Sequence, residues 1–272
     1  MIVFPSAKIN FGLRITGKRS DGFHNIETIF YPIPLSDALE FVIHDEQSTK
    51  DTLRCTGINT GSNPDDNLVI KTLLKLRTRK IFPFLKIHLH KAIPVGAGLG
   101  GGSSDSACLL KIVNRHFGLN IDKSDIKIMA LELGSDCPFF IDCVPSLASG
   151  RGEILTPVKT FLSGYYLVLI NPGIGINTGE AYKNCHPGVP SERFSEVINS
   201  PVNEWKGLIL NDFEDFAFKK HKVIGEIKEE LYKSNALFSL MSGSGSSVYG
   251  IFSAKPKLRG KLKEFVIWEG IL

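Results

Sequence analysis

The chain has 272 residues, and 43% of them are hydrophobic, which is enough to bury the core of one large α/β domain or of two modest ones. Its 32 basic and 28 acidic residues leave a net charge of +4, without the long Lys/Arg runs of a nucleic-acid-binding tail. Neither an apolar run of membrane-spanning length nor a signal-peptide pattern occurs, so we expect a cytoplasmic protein without nucleic-acid, membrane or obligate protein partners.

The chain begins with a β-rich region. Short apolar runs fill the first thirty residues, and residues 37–45, DALEFVIHD, are a further strand candidate. Residues 68–80, LVIKTLLKLRTRK, have apolar side chains near helical spacing and predict a helix. Residues 84–93, FLKIHLHKAI, then predict a strand that leads directly into a glycine-rich stretch.

Two helices are predicted beyond the glycines. Ser103, Ser104 and Asp105 offer hydroxyl and carboxylate groups to cap the first helix, which is expected to end at Gly118. Ser124 is expected to cap the second helix.

The second half of the chain repeats the mixture of strands and helices. A new β-rich start is predicted at residues 165–173, helical patterns at residues 214–234, and a strand, glycine turn and strand over residues 236–253. This order indicates an α+β protein of two lobes, with domains over residues 1–155 and 156–272.

The cysteines and histidines predict no metal site. Five cysteines are an odd number and none forms a C-x-x-C pair, so we expect reduced thiols rather than a disulfide framework. His88 and His90 share one face of the predicted strand with Lys86, whereas Ile87 and Leu89 take the other face. Because this alternation is typical of a half-buried strand, no residue is assigned as a metal ligand.

The glycine-rich stretch is the clearest functional signal. Five of the seven residues from Gly96 to Gly102 are glycine, although glycine loses more backbone entropy on folding than any other residue. A strand, a glycine loop and a helix in this order allow bare backbone N–H groups to converge on a phosphate at the positive end of the helix. We therefore predict a phosphate-binding loop rather than a flexible connector.

Other phosphate-binding loops fit this stretch less well. Gly96, Gly98 and Gly101 match G-x-G-x-x-G, but Asp122 lies in a turn that feeds a helix, not at the end of a second strand. A P-loop would need Lys followed by Ser or Thr after its last glycine, whereas Ser103 follows here. Neither the H-R-D nor the D-F-G tripeptide of protein kinases occurs in the chain.

Three segments resemble one family of small-molecule kinases. Residues 94–107, PVGAGLGGGSSDSA, resemble the phosphate-binding motif of the kinases named after galactose, homoserine, mevalonate and phosphomevalonate. Residues 5–28 and residues 242–252, SGSGSSVYGIF, resemble the other two motifs of that family and occur in its order. The resemblance implies an N-terminal domain of the ribosomal-protein-S5 type followed by a ferredoxin-like domain, with ATP and its Mg²⁺ as cofactors.

The resemblance also implies a donor site that lies on and near the glycine loop. Its residues are Asn67, Lys91, Pro94, Gly96, Ala97, Gly98, Leu99, Gly100, Gly101, Gly102, Ser103 and Ser104. From sequence alone, Asn67 is explained almost as well as a helix cap. Residues 242–247, which the resemblance packs beside the loop, are equally readable as a simple hairpin turn.

Lys8 and Asp136 match the catalytic pair of the resembled family. Lys8 lies in the apolar-flanked sequence SAKIN, where a surface lysine with a buried stem is the alternative. Asp136 lies in LGSDCPFF, where a helix cap is the alternative to a catalytic base. The resemblance implies that Asp136 is the base and that Lys8 keeps it ionised.

The acceptor is expected to be a small molecule linked to cytidine diphosphate. The resemblance implies that Phe23 stacks on cytosine, His24 recognises it, Tyr182 supplies a second ring, and Asn10 and Thr178 contact polar groups of the acceptor. The family usually has tyrosine where this chain has Phe23. Strand packing of Tyr182, turn bonding of Thr178, a mevalonate or homoserine acceptor, and a non-catalytic ATP-binding module remain the alternatives.

Overall fold

The computed structural model describes residues 1–59, 61, 63–185 and 194–272. Its strands are β1 (Ile2–Val3), β2 (Ser6–Lys18), β3 (His24–Ser36), β4 (Ala38–Ile43), β5 (Thr52–Gly57), β6 (Leu85–Lys91), β7 (Ser146–Ser149), β8 (Ile154–Pro157), β9 (Tyr166–Ile170), β10 (Phe238–Met241), β11 (Val248–Phe252) and β12 (Val266–Ile271). Its α-helices are α1 (Leu68–Arg77), α2 (Gly101–His116), α3 (Lys123–Leu133), α4 (Cys137–Asp142), α5 (Thr178–Lys183), α6 (Phe194–Val197), α7 (Glu214–Lys220) and α8 (Lys222–Lys233). Short 3₁₀ helices cover Pro64–Asp66, Val202–Glu204 and Gly260–Phe265. This mixture of helices and mainly antiparallel sheets confirms the predicted α+β class.

The chain forms two compact units that alternate along the sequence. The first unit contains Met1–Ala7, Pro34–Val95 and Gly100–Cys143. The second unit contains Lys8–Ile33, Gly96–Leu99 and Val144–Leu272. This division into units does not test the predicted domain boundary near residue 155, which stays a prediction.

The first unit is built from one four-stranded sheet and four helices. The strand order is β1-β4-β6-β5, with β5 parallel to β6 and the other pairs antiparallel. Along β6, Ile87 and Leu89 are buried while Lys86 and His90 are exposed, which confirms the predicted half-buried strand. In β4, the ring of Phe41 lies 6.2 Å from that of Phe117 at the end of α2.

The second unit contains two further four-stranded sheets. Their orders are β2-β3-β7-β8 and β10-β11-β9-β12. Strand β2 is tied to a distant segment, because Leu13 exchanges backbone hydrogen bonds of 2.9 Å with Leu210 and Asp212. A core cluster that includes Leu13, Val168 and Leu231 fills the space between α8 and the sheet of β9. In the described ranges, no helix is both long enough and apolar enough to cross a membrane.

Four details differ from the sequence predictions. Helix α2 begins at Gly101 after Gly100 and has no side-chain cap, so Ser103, Ser104 and Asp105 lie inside the helix rather than before it. Helix α3 begins at Lys123, because Asp122 still has the extended backbone of an N-cap residue; Ser124 therefore lies in the first turn.

The remaining differences lie in the second unit. The helical pattern of residues 214–234 is two helices, because His221 leaves the helical region with φ −137° and ψ 83°. Strand β12, which pairs with the edge of β9, was not predicted.

Candidate active site

The glycine stretch joins the end of β6 to the start of α2, as predicted. Gly96, Gly98 and Gly100 have φ values of +64°, +78° and +70°. Side chains strongly disfavour this left-handed region, so the path of the loop requires glycine at these positions. The loop therefore presents bare backbone at the N-terminus of a 16-residue helix, which is the geometry that binds phosphate.

A second reason for glycine at position 98 is the closeness of another backbone segment. A Cβ atom on Gly98 would lie 1.9 Å from the carbonyl oxygen of Ser242. The Ser242 hydroxyl donates to the carbonyl oxygen of Gly98 at 2.9 Å, and the backbone N–H of Ser247 donates to that of Ala97 at 3.2 Å. Residues 242–247 thus pack against this part of the loop, which confirms the packing that the resemblance implied.

The remaining loop residues contact strand β2 and the residues just before the loop. Leu99 is buried, and its carbonyl oxygen accepts a 3.0 Å hydrogen bond from the backbone N–H of Lys8. In the first turn of α2, Gly101 is buried and Gly102 is exposed. A Cβ atom on Gly101 would lie 2.8 Å from Ile93, so bulk is excluded there too. Pro94, at the start of the loop, is half-buried.

Lys8 is buried beside the loop, so the surface alternative for this lysine is wrong. It is 3% exposed, and its ammonium group donates to the Gly98 carbonyl oxygen at 3.2 Å and to the side-chain oxygen of Asn10. It also lies 4.9 Å from the centroid of the Phe30 ring. A buried ammonium group is costly unless it is hydrogen-bonded or paired, and these contacts provide such partners.

Asn10 connects Lys8 to the glycine turn. Its side-chain amide donates to the Thr28 hydroxyl at 3.0 Å, and its backbone N–H donates to Ser242 at 3.0 Å. Ser242 therefore bonds both Asn10 and Gly98, so β2, the loop and the turn are fixed by one buried hydroxyl. Sequence analysis identified Asn10 and the segment that begins at Ser242, but it gave no role to the hydroxyl groups of Ser242 and Thr28.

The predicted acceptor-binding rings lie in the second unit. The His24 and Tyr182 rings are stacked, with centroids 4.9 Å apart and planes at 16°. Tyr182 lies in α5 rather than in a strand, and it packs against the core cluster of the second unit, so a packing role remains beside the predicted one. Thr178 begins the same helix and shares a 2.9 Å hydrogen bond with Ser244. Phe23 is 50% exposed at the turn between β2 and β3.

Lys91 lies in a buried ion-pair cluster of the first unit. Its ammonium group pairs with Asp37 and, at 2.8 Å, with Asp105, and its side chain is 2% exposed. The second oxygen of Asp37 accepts from the backbone N–H groups of Ala92 at 2.6 Å and Ile93 at 2.8 Å. Asp105 Oδ1 is buried without a hydrogen-bond partner. The cluster thus fixes the backbone just before the loop.

Electrostatics within this cluster shift two pKa values. Burial raises the pKa of Asp105 to about 7, because the attraction of Lys91 only partly offsets burial and the repulsion of Asp37. Burial alone would lower the pKa of Lys91, but Asp105 and Asp37 outweigh it, so this pKa lies above its usual value. Lys91 therefore stays charged beside the Asp105 carboxyl, whose pKa is raised.

The other predicted residues of the first unit lie at helix starts. The Asn67 side chain accepts from the backbone N–H of Val69 at 2.9 Å, so it caps α1; its contact with ATP stays a prediction. Asp136 precedes α4 and is half-buried, but its side chain makes no capping bond there. This argues against the cap alternative for Asp136. Ser103 is half-buried and Ser104 is 2% exposed.

In the part of the chain that the structure describes, no three His, Cys, Asp or Glu side chains are grouped to hold a metal ion. The five cysteines are free thiols.

Comparisons with known proteins agree with this geometry. The model of the GHMP kinases N-terminal domain matches residues 67–147, and that of the GHMP kinases C-terminal domain matches residues 198–267. A 4-diphosphocytidyl-2-C-methyl-D-erythritol kinase of Bacteroides thetaiotaomicron is 50% identical over 95% of this chain and 94% of its own. A kinase of the same name from Porphyromonas gingivalis is 46% identical over the whole of both chains.

Solved structures show the same similarity. A crystal structure of 4-(cytidine 5'-diphospho)-2C-methyl-D-erythritol kinase, 29% identical, matches with a TM-score of 0.73 over 92% of this chain and 90% of its own. A homoserine kinase from Cytophaga hutchinsonii, 16% identical, matches with a TM-score of 0.62 over 92% of this chain and 86% of its own, which shows a shared fold. The chain therefore belongs to the GHMP kinase family and is an α+β kinase.

Proposed function

We propose that this kinase transfers the γ-phosphoryl group of ATP to the 2-hydroxyl of 4-diphosphocytidyl-2-C-methyl-D-erythritol. The observation that carries the proposal is the 46–50% identity, over 95–100% of this chain, to kinases of that name. The resemblance places this reaction in the mevalonate-independent route to isoprenoid precursors. The use of ATP and the odd number of cysteines support a cytoplasmic location.

The proposed donor site is the glycine loop. Positive φ values at Gly96, Gly98 and Gly100 leave backbone N–H groups without neighbouring Cβ atoms, and the helix dipole of α2 favours negative charge at its start. These features fit the phosphates of ATP, which supplies the phosphoryl group when bound. Mg²⁺ is proposed to arrive on those phosphates, because it usually keeps most of its ligands from water and phosphate.

The proposed chemistry needs few protein groups. Phosphoryl transfer depends mainly on positioning and on charge stabilisation. We assign Asp136 to orient the acceptor hydroxyl and to take its proton as the new P–O bond forms and the bond to the β-phosphate oxygen breaks. Lys8, a buried ammonium group bonded to the Gly98 carbonyl, supplies positive charge for the reaction.

The proposed acceptor site lies on the turn between β2 and β3 and on α5. Phe23 is an exposed aromatic ring, and His24 and Tyr182 are neighbouring rings with polar tips. Such a group of rings suits a planar cytosine, which stacks on aromatic faces and offers polar edges.

Product analysis by mass spectrometry tests the proposal. The purified protein with ATP and Mg²⁺ is offered 4-diphosphocytidyl-2-C-methyl-D-erythritol, mevalonate and homoserine separately. We expect one added phosphoryl group on the first acceptor alone. Transfer to mevalonate or homoserine instead would reassign the substrate, and a folded protein that binds ATP but modifies no acceptor would indicate a non-catalytic module.

A further inference from the structure

Arg151 lies against Phe23, and neither the sequence motifs nor the proposed mechanism uses it. The guanidinium carbon is 4.6 Å from the centroid of the Phe23 ring. A guanidinium group is planar and stacks favourably on aromatic faces. Because Phe23 remains 50% exposed, this contact leaves part of the ring available to a planar ligand.

Arg151 is itself held in place. Its backbone N–H donates to a carboxylate oxygen of Glu153 at 2.5 Å, and its Nε lies 3.8 Å from the other oxygen. Its side chain is only 25% exposed, so the arginine is not a freely rotating surface group. The segment between β7 and β8 thus presents a fixed cation to the Phe23 ring.

The turn that carries Phe23 is also braced. Arg19 Nε donates to both carboxylate oxygens of Asp21 at 3.0–3.1 Å, and Asp21 accepts from the backbone N–H of Phe23 at 3.1 Å. These hydrogen bonds, together with the charge of Arg151, hold the pKa of Asp21 below its usual value. The backbone of Phe23 is therefore fixed by its own turn, and its side chain is contacted by Arg151.

We propose that Arg151 is a positioning residue that holds the Phe23 ring as one wall of the cytosine site and thereby sets the preference for a cytidine-bearing acceptor. The proposal rests on the proposed function. An exposed phenylalanine on a turn would otherwise lose rotational freedom when it stacks on a ligand. A ring that is already held in place avoids that loss, so binding is tighter.

The role is distinguishable from a direct contact between Arg151 and the acceptor. A residue that acts through the ring matters equally for cytidine and for cytidine diphosphate, and it ceases to matter when the ring is absent. A residue that pairs with the diphosphate matters for cytidine diphosphate alone, whether or not the ring is present.

Calorimetry with cytidine, cytidine diphosphate and ADP tests this role in wild type, Arg151→Gln, Arg151→Lys, Phe23→Leu and the double variant Arg151→Gln/Phe23→Leu. We expect Arg151→Gln to weaken both cytidine ligands by the same factor of about 3 to 10, and Arg151→Lys, which keeps the cation, to recover part of this loss. The double variant should bind no worse than Phe23→Leu. ADP affinity should stay unchanged, and circular dichroism checks the fold of each variant.

Three outcomes would overturn the role of Arg151 and leave the proposed function intact: unchanged cytidine affinity in Arg151→Gln, a loss confined to cytidine diphosphate, or additive losses in the double variant. Failure of the wild type to bind either cytidine ligand, by contrast, would overturn the proposed function itself.

Discussion

The hydroxyl of Ser242 and the carbonyl oxygen of Gly98 are joined by a hydrogen bond of 2.9 Å, although 144 positions separate them in the chain. The same segment places the Ser242 carbonyl oxygen 1.9 Å from where a Cβ of residue 98 would lie, so glycine is required there by close packing as well as by the backbone angles.

Gly98→Ala is therefore expected to weaken binding of a nonhydrolysable ATP analogue. The new Cβ would clash with the Ser242 carbonyl oxygen, and the alanine would have to adopt the left-handed φ of +78°. Strain of about 1–3 kcal/mol would move the loop and weaken binding about 10-fold or more. Gly164→Ala is the matched control, because Gly164 has φ +84° but open space at its Cβ position. Equal affinities for the two variants in calorimetry would show that the loop does not hold the nucleotide.

Asp136→Asn is expected to lower turnover about 10²–10⁴-fold while substrate binding persists, because asparagine keeps the shape but cannot accept the proton. Lys8→Met, which preserves volume at this buried site, should also lose turnover. If the two residues act as one unit, the double variant will be far less impaired than the product of the single losses. Steady-state rates of the four proteins measure this coupling. Near-normal turnover of Asp136→Asn would show that Asp136 has no catalytic role. Multiplicative losses would show that the two residues act independently.

Lys91→Met is expected to destabilise the fold, because it leaves Asp37 and Asp105 buried without their cation. Losing one partner of a buried ion pair typically costs about 3–5 kcal/mol. Urea unfolding measures the change in free energy. Lys233→Met is the control, because the ammonium group of Lys233 is exposed in its pair with Glu230, and little change is expected there. A wild-type unfolding midpoint for Lys91→Met would contradict a structural role for the cluster.

The cluster also predicts how stability varies with pH. The pKa of Asp105 is about 7 in the folded protein, which is above the value of an unfolded aspartate, so the folded state binds more protons between pH 4 and 7. The contribution of Asp105 is therefore complete below about pH 4 and is lost as pH rises towards 7, by up to about 1.4 kcal/mol per pH unit. The unfolding free energies of wild type and Asp105→Asn are measured from pH 4.5 to 8. Relative to the variant, the wild type should lose stability by this amount per pH unit as pH rises towards 7. Parallel curves would contradict the assignment.

Local patterns predicted much of the fold and the glycine loop of the candidate site. The glycine loop was predictable because its signal lies within a few consecutive residues between a strand and a helix. The burial of Lys8 was not, because it depends on Gly98 and Phe30, which lie far along the chain. Asp37, the partner of Lys91, is 54 positions away, and no periodicity connects the two.

The boundary errors have a similar origin. Ser103 and Ser104 have the composition of a helix cap, yet the helix begins earlier because Gly100 can adopt a left-handed backbone. Local preference for serine at a cap was outweighed by the geometry of the loop.

The pairing of Leu13 with Leu210 and Asp212 also bears on how the chain folds as it is synthesised. Strand β2 leaves the ribosome early and can pair with β3, but Leu210 and Asp212 emerge nearly two hundred residues later, so the edge of β2 that contacts them must wait unpaired. Exposed strand edges of this kind are prone to aggregation, and contacts between distant residues slow folding. We therefore expect the second unit to be completed only late in translation, so that ribosome-bound fragments that stop before residue 210 remain protease-sensitive around β2.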